Sequence, residues 1–484
     1  MVSGGVKSVS FYVNGEWTKP AGRATLPVTN PATGEVLAEV PLATAADVDH
    51  AVETAHAGFL KWREVPVVDR VQVLYRYKAL LEQYQMDLAG MLTAENGKTL
   101  DDAKAEVRRA IQMVEMACGM PTLMMGDSLN DVATGIDCKT IRQPLGVCVG
   151  ITPFNFPAMV PMWMYPFAIA CGNAFILKPS ERVPLTPSFA VDLLHEAGLP
   201  PGVMTLLHGD KMAVDTMLHH PLVRAISFVG STPVAKYIYA SAATEGKRVQ
   251  ALGGAKNFLV AMPDADIPKS VEAIISSAFG AAGERCLAGS VLVLVGDGEP
   301  LMEALLARVK RMLVGDGARA GVEMGPLIST EHAGRVAGHI QRGISEGAEA
   351  LIDGRSLRST MGGYFVGPTI LDHAKPEMSV ACDEIFGPVL TVLRVETLED
   401  AIQTVNGSRY GNASSIFTSN GGAAREYSSR VEAGMVGVNV GVAAPMAFFP
   451  FAGWKQSFFG DLHAHGKDAV SFYTEQKVIM SRWF

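Results

Sequence analysis

The chain has 484 residues, 48% hydrophobic and 19% charged, which is enough for two or three packed units and leaves no tract suggestive of disorder. Its net charge of −8 provides no basic field for a phosphate backbone, so nucleic acid is set aside as a partner. Six cysteines, at 118, 138, 148, 171, 286 and 382, include no C-x-x-C pair, so neither a disulfide scaffold nor a zinc cluster is expected and a reducing, cytoplasmic setting fits.

In chain order, Met-Val-Ser-Gly-Gly-Val-Lys at the start has neither an apolar core nor an Arg/Ser-rich amphipathic pattern, so no export or import signal is expected. The first 45 residues suggest short strands and turns, with Asn14-Gly15 and Asn30-Pro-Ala-Thr-Gly34 as turn signals. Thr44, with Asp47 three residues on, predicts a helix start, and Val48, Val52, Ala55 and Phe59 share one face. Further helices are predicted over about 67–93 and 99–117. Residues 125–145 turn polar and β-leaning. Strand-like runs at 146–151, 174–178, 203–207 and 225–229 then alternate with helical segments, and a second series from near 252 has runs at 258–262, 290–295, 389–394 and 435–439. This alternation predicts two α/β domains with parallel sheets, and the β-leaning pieces 126–145 and 470–480 are expected to form a separate extension. No charge occurs from Phe156 to Leu177, but Pro157, Pro161, Pro166, Gly172 and Asn173 interrupt the stretch. A buried helix followed by a buried strand is therefore expected, with no membrane span.

Four segments carry residues suited to chemistry. Cys286 lies among small residues in Phe279-Gly-Ala-Ala-Gly-Glu-Arg-Cys-Leu-Ala-Gly, directly after Arg285. Small neighbours let backbone N–H groups reach a ligand and a cation favours the thiolate, although a cysteine is also a good small core residue. Asn155 ends a strand in Thr152-Pro-Phe-Asn-Phe-Pro157, where its amide can either face an oxyanion or simply form a turn. Lys178 and Glu181 close the strand Phe175-Ile-Leu-Lys, a position suited to an adenosine ribose. Ser231 opens a helix after the strand Ile226-Ser-Phe-Val and Gly230, where a pyrophosphate can sit. No G-x-G-x-x-G marks a strand–helix junction, so a standard Rossmann fingerprint is absent.

Together these segments resemble the aldehyde dehydrogenase superfamily across nearly the whole chain. Phe154-Asn-Phe-Pro157, Leu177-Lys-Pro-Ser180, Phe228-Val-Gly-Ser-Thr232, Leu252-Gly-Gly254, Gly283-Glu-Arg-Cys286 and Glu384-Ile-Phe-Gly-Pro388 follow the family's order and spacing. The resemblance implies an α/β fold: a modified Rossmann NAD domain over 1–125 and 146–251, a catalytic domain over 252–445, and a small β oligomerisation arm, with 126–145 and 446–484 as oligomerisation or bridging segments. It implies that Cys286 attacks the aldehyde while Asn155 holds the oxyanion. It places Thr152, Phe154, Lys178, Glu181, Arg182, Ser231, Gly253 and Glu384 around NAD, and it implies a homo-oligomer, dimer or tetramer. Glu181 beside the ribose favours NAD over NADP.

Hydrolytic members carry a Glu directly before Leu-Gly-Gly, where it activates water. Here that residue is Ala251. Without a base the thioester needs a better nucleophile, such as the coenzyme A thiol. This departure is similar to the methylmalonate-semialdehyde dehydrogenase branch, as are Gly246-Lys-Arg-Val-Gln-Ala251, Gly254-Ala-Lys-Asn257 and Phe472-Tyr-Thr-Glu-Gln-Lys477. The branch implies oxidation of malonate or methylmalonate semialdehyde with acyl transfer to coenzyme A and loss of carbon dioxide. It also implies that Arg285 and Arg109, or its neighbour Arg108, grip the substrate carboxylate. Phe258 and Leu287 differ from the branch's usual His and Met. The alternatives are a hydrolytic enzyme for an acidic semialdehyde such as succinate semialdehyde, with Glu284 as the replacement base, and a binding protein that has lost catalysis. His219, His220, His463 and His465 are expected at the surface, and no metal is expected.

Overall fold

The computed structural model describes residues 7–359 and 362–484. The first six residues, which belong to the stretch inspected for a leader, lie outside the described residues.

Thr44 forms the anticipated capping box with Asp47 and starts the helix Ala45–Trp62, whose Val48, Val52, Ala55 and Phe59 are buried. The predicted 67–93 helix is two helices, Val67–Gln83 and Gln85–Asn96, broken where Tyr84 leaves helical geometry (φ −99°, ψ 18°). Gly97, at φ 90°, ends the second helix and Thr99 caps the next, Leu100–Cys118. The uncharged stretch from Phe156 forms two short helices, Met159–Met162 and Tyr165–Ala170, before the buried strand Ala174–Lys178; its prolines divide what was predicted as one helix. No helix among the described residues is long and apolar enough to cross a membrane.

Two doubly wound sheets hold the helices. The first has eight strands, with Arg248–Leu252, Val223–Val229, Val147–Ile151, Ala174–Lys178 and Met204–Leu206 parallel at its centre. The second has seven, with Asn257–Ala261 between Gly289–Val295 and Ala413–Phe417. Both parallel cores are apolar runs buried on both faces. The antiparallel ladder Ser128–Ala133, Ile136–Pro144 and Thr474–Arg482 stands apart as a third sheet, with Leu129, Val478, Met480 and Trp483 exposed.

The tail pairs with more than the arm. Phe458–Gly460 pairs with Arg248–Leu252 at the edge of the eight-stranded sheet, and Trp454–Lys455 pairs with Tyr410–Gly411. Residues 466–472 are a helix, so only Thr474–Arg482 of this segment joins the ladder. An open parallel edge accepts any nearby extended segment, and the tail passes that edge before it reaches the arm.

Candidate active site

Cys286 follows the turn Gly280–Gly283, in which Ala281 (φ 48°), Ala282 (φ 53°) and Gly283 (φ 72°) are all left-handed. Such a run is strained for alanine, and it persists because the turn is held from both sides. A Cβ on Gly283 would meet the Gly387 carbonyl oxygen at 2.2 Å, so this close approach locks the turn before Cys286 against the Glu384–Pro388 loop and requires glycine. The Cys286 carbonyl accepts from the side-chain amides of Asn257 and Asn412, each at 2.8 Å. Asn412 was not anticipated. It lies far along the chain, and nothing local marks it.

Asn155 is buried, and its amide donates to the Glu284 carbonyl at 2.9 Å, leaving its second N–H for a ligand. Its own carbonyl accepts from Lys98 Nζ (2.6 Å), which also pairs with Glu106 (2.6 Å). Glu106 takes the N–H groups of Ala158 and Met159, and Asn96 donates to the Phe154 carbonyl. The Phe154–Met159 segment is thus held by Asn96, Lys98 and Glu106, three residues absent from the expected set.

Asn155, Gly253, Glu384 and Cys286 share the wall of a cavity of about 330 Å³. Glu384 accepts from the Ala255 N–H (2.9 Å), and burial pushes its carboxyl up to about 7. Thr152, Phe154, Lys178, Glu181 and Ser231 line an adjoining cleft of about 550 Å³ that shares Pro153, Phe154 and Gly230 with the first cavity. Burial opposes ionisation of Glu181, but Lys178, 3.2 Å away, holds its carboxyl below the usual range. The chemistry of this cleft fits a dinucleotide. Ser231 makes no side-chain capping bond, which leaves the Thr232 and Val234 N–H groups at the start of the helix Thr232–Thr244 for an anion; Pro233 has no N–H and Ala235 donates to the Ser231 carbonyl. The buried Thr152 hydroxyl has no partner, and a Cβ on Gly230 would collide with the Phe228 ring. Arg182, expected here, is exposed and lies 3.9 Å from Glu331.

Cys286 also lines a second cavity, of about 340 Å³, on its other side. Arg109 faces this cavity, whereas Arg108 is exposed, which resolves the choice between the neighbours. Arg109 Nη2 donates to the Ala444 carbonyl (3.1 Å), and no acidic partner is found for it among the described residues. Burial lowers its pKa, the mark of a cation without compensation. Arg285 lines the same cavity, but its Nη2 lies 2.5 Å from Asp102 and its Nη1 donates to the Ser276 carbonyl. Arg285 lowers the Cys286 pKa in the expected direction but is outweighed in this state. Burial and the nearby Glu384 push the thiol up to about 12, and the turned-away guanidinium offsets this only weakly. His465, expected at the surface, is buried against Trp163 and Phe451 in this cavity. Desolvation drops its pKa to about 3, and its Nδ1 lacks a partner.

The two carboxylate arguments from the sequence also change. The Glu284 carboxyl points away from Cys286; it accepts from the Ile328 N–H (3.1 Å) and lies 3.4 Å from His332, and burial pushes it up to about 8. Ala251 packs into the core with Val147, Val149 and Ile176 on the far face of its strand. Its neighbour Leu252 lies on the opposite face of the strand, in the core that Cys286 also borders. Both residues are apolar, so the absence of a base at this site does not depend on which one is compared.

Residues 17–479 match the model of the aldehyde dehydrogenase family. The chain belongs to this family. It is 50% identical, over 98% of its length and 97% of the relative's, to malonate-semialdehyde dehydrogenase 1 of Geobacillus kaustophilus. Its fold superposes at a TM-score of 0.97 on the crystal structure of methylmalonate-semialdehyde dehydrogenase from Oceanimonas doudoroffii, with 46% identity and 99% of each chain covered. A Sinorhizobium meliloti structure solved in complex with NAD gives the same score at 44% identity, covering 99% of this chain and 98% of that one. As in those structures, the chain has the aldehyde dehydrogenase fold expected from its motifs.

Proposed function

We propose that this aldehyde dehydrogenase oxidises malonate semialdehyde or its methyl derivative with NAD and passes the acyl group from Cys286 to coenzyme A, with loss of carbon dioxide. The observation that carries the reading is Cys286 standing between two cavities, one suited to a dinucleotide and the other holding an uncompensated Arg109. An unpaired, half-buried guanidinium is costly unless an anion completes it, and an aldehyde bearing a carboxylate supplies one. The names of the relatives agree with that substrate class.

The Cys286 Sγ, on losing its proton to solvent, adds to the aldehyde carbonyl, and the oxyanion that forms takes the free Asn155 N–H and the Cys286 backbone N–H. NAD, when bound, supplies the hydride acceptor and one positive charge that favours the thiolate. Arg109 and Arg285 orient the substrate carboxylate, which keeps the aldehyde carbon at Sγ. The thioester left on Cys286 then meets no side chain placed to activate water: Glu284 faces elsewhere, Glu384 is held by the Ala255 N–H, and positions 251 and 252 are apolar. A thiol attacks such an ester readily. The free cysteines suit a cytoplasmic setting, and the exposed apolar residues of the three-stranded ladder suit assembly into a homo-oligomer.

The test is NADH formation from malonate semialdehyde with and without coenzyme A, with the product identified by mass. Coenzyme A-dependent turnover to acetyl-coenzyme A is expected. A free acid formed at the same rate without coenzyme A would overturn the acylating reading and favour the hydrolytic one.

A further inference from the structure

The aldehyde-side cavity has an unusual charge balance. Its charged lining residues are Asp102, Glu106, Arg109 and Arg285. Glu106 is neutralised by the buried Lys98 at 2.6 Å, and Asp102 is paired with Arg285 at 2.5 Å. Arg109 alone has no counter-ion among the described residues. His465 remains neutral through burial, and so does the Cys286 thiol. One positive charge is therefore left for whatever enters.

We propose that Asp102 is a specificity-determining residue that holds this cavity at a single net positive charge, so that it selects monoanionic aldehydes over dianionic ones of the same size. The proposal rests on the reading that the cavity binds the substrate carboxylate. Asp102 reaches the site from the first turn of the helix Leu100–Cys118. One of its oxygens takes Arg285 and the other accepts from the N–H of Ala281 in the left-handed turn before the nucleophile. Its side chain is about one-fifth exposed and that of Arg285 less, so bulk water screens the pair little. A second carboxylate on a ligand would meet Asp102 as a like charge with no cation left over, and such a juxtaposition is penalised strongly inside a desolvated site.

Malonate and malonamate, matched in size but differing by one charge, probe this as dead-end inhibitors against the aldehyde. The native enzyme should bind malonamate more tightly. Asp102→Asn keeps an acceptor in place but raises the cavity charge, and should shift the ratio of inhibition constants toward malonate by about tenfold or more. The double variant Asp102→Asn with Arg285→Gln returns the cavity to one net charge and should regain the native ratio. An unchanged ratio in the single variant overturns the proposal. So does a double variant that resembles the single one, because the pair would then act through shape. If neither acid competes with the aldehyde in the native enzyme, the carboxylate reading of the cavity fails along with the proposal. Competition with an unmoved ratio sinks the proposal alone.

Discussion

Arg109→Met gives the sharpest test of how this enzyme would hold its substrate. Methionine keeps much of the apolar stem and removes the charge, so the packing against residues 444–446 suffers least. A carboxylate about 4 Å from the guanidinium gains on the order of 4 kcal/mol at the effective dielectric of a protein surface. The group is half-exposed, so about 2–3 kcal/mol should survive, a loss of roughly 30- to 150-fold in kcat/KM for malonate semialdehyde. Propanal, which has no carboxylate, should lose no more than about 3-fold. The variant should also unfold no earlier than its parent, because the residue it loses is a partly desolvated cation that the unliganded fold leaves uncompensated. Arg285→Gln should cost less than Arg109→Met, since Asp102 already occupies part of that guanidinium. The measurement is steady-state NADH formation with both aldehydes. An equal loss on propanal and on malonate semialdehyde would refute the argument, because Arg109 would then act on the fold or the nucleophile and not on the carboxylate.

Three other results are expected. Cys286→Ala should give no NADH burst and no acyl-enzyme mass, and a variant with normal turnover would remove the covalent step. In the native enzyme without NAD, alkylation of Cys286 should keep rising by about tenfold per pH unit through pH 10, since burial holds the thiol near 12 and the thiolate fraction grows until that point; a plateau below pH 9 would contradict the burial argument. Leu252→Glu should release some free acid without coenzyme A, whereas Ala251→Glu should only destabilise the fold by placing a carboxylate in the core. Acid release from the Ala251 variant instead would mean that the strand faces were assigned the wrong way round.

The parts of this protein that were legible beforehand are those encoded over a few residues. The Thr44–Asp47 cap, the alternation of apolar strands with helices, the setting of Cys286 and the Lys178–Glu181 pair are all local patterns. What stayed hidden shares one cause. The chain neighbours of Arg182, Glu284 and His465 do not fix where these side chains point, which follows from packing against distant segments: Glu331, Ile328 and Trp163 respectively. Ala251 shows the same limit in miniature. A one-residue offset along a strand exchanges its two faces, which is why Ala251 and Leu252 fall in different core clusters.

By itself the sequence determined the family, the fold class, the candidate nucleophile Cys286 with Asn155 as its proposed oxyanion partner, and the lack of a carboxylate beside Leu252-Gly-Gly254. These follow from residue type and short spacing, which survive without coordinates. Tertiary structure alone decided that Arg109 faces the cavity and Arg108 the solvent, that Asp102 claims Arg285, and that Asn257 and Asn412 hold the Cys286 carbonyl. These are contacts between segments far apart in the chain. Their energy depends on burial and on which charges end up paired, and neither exists until the two sheets have packed around Cys286.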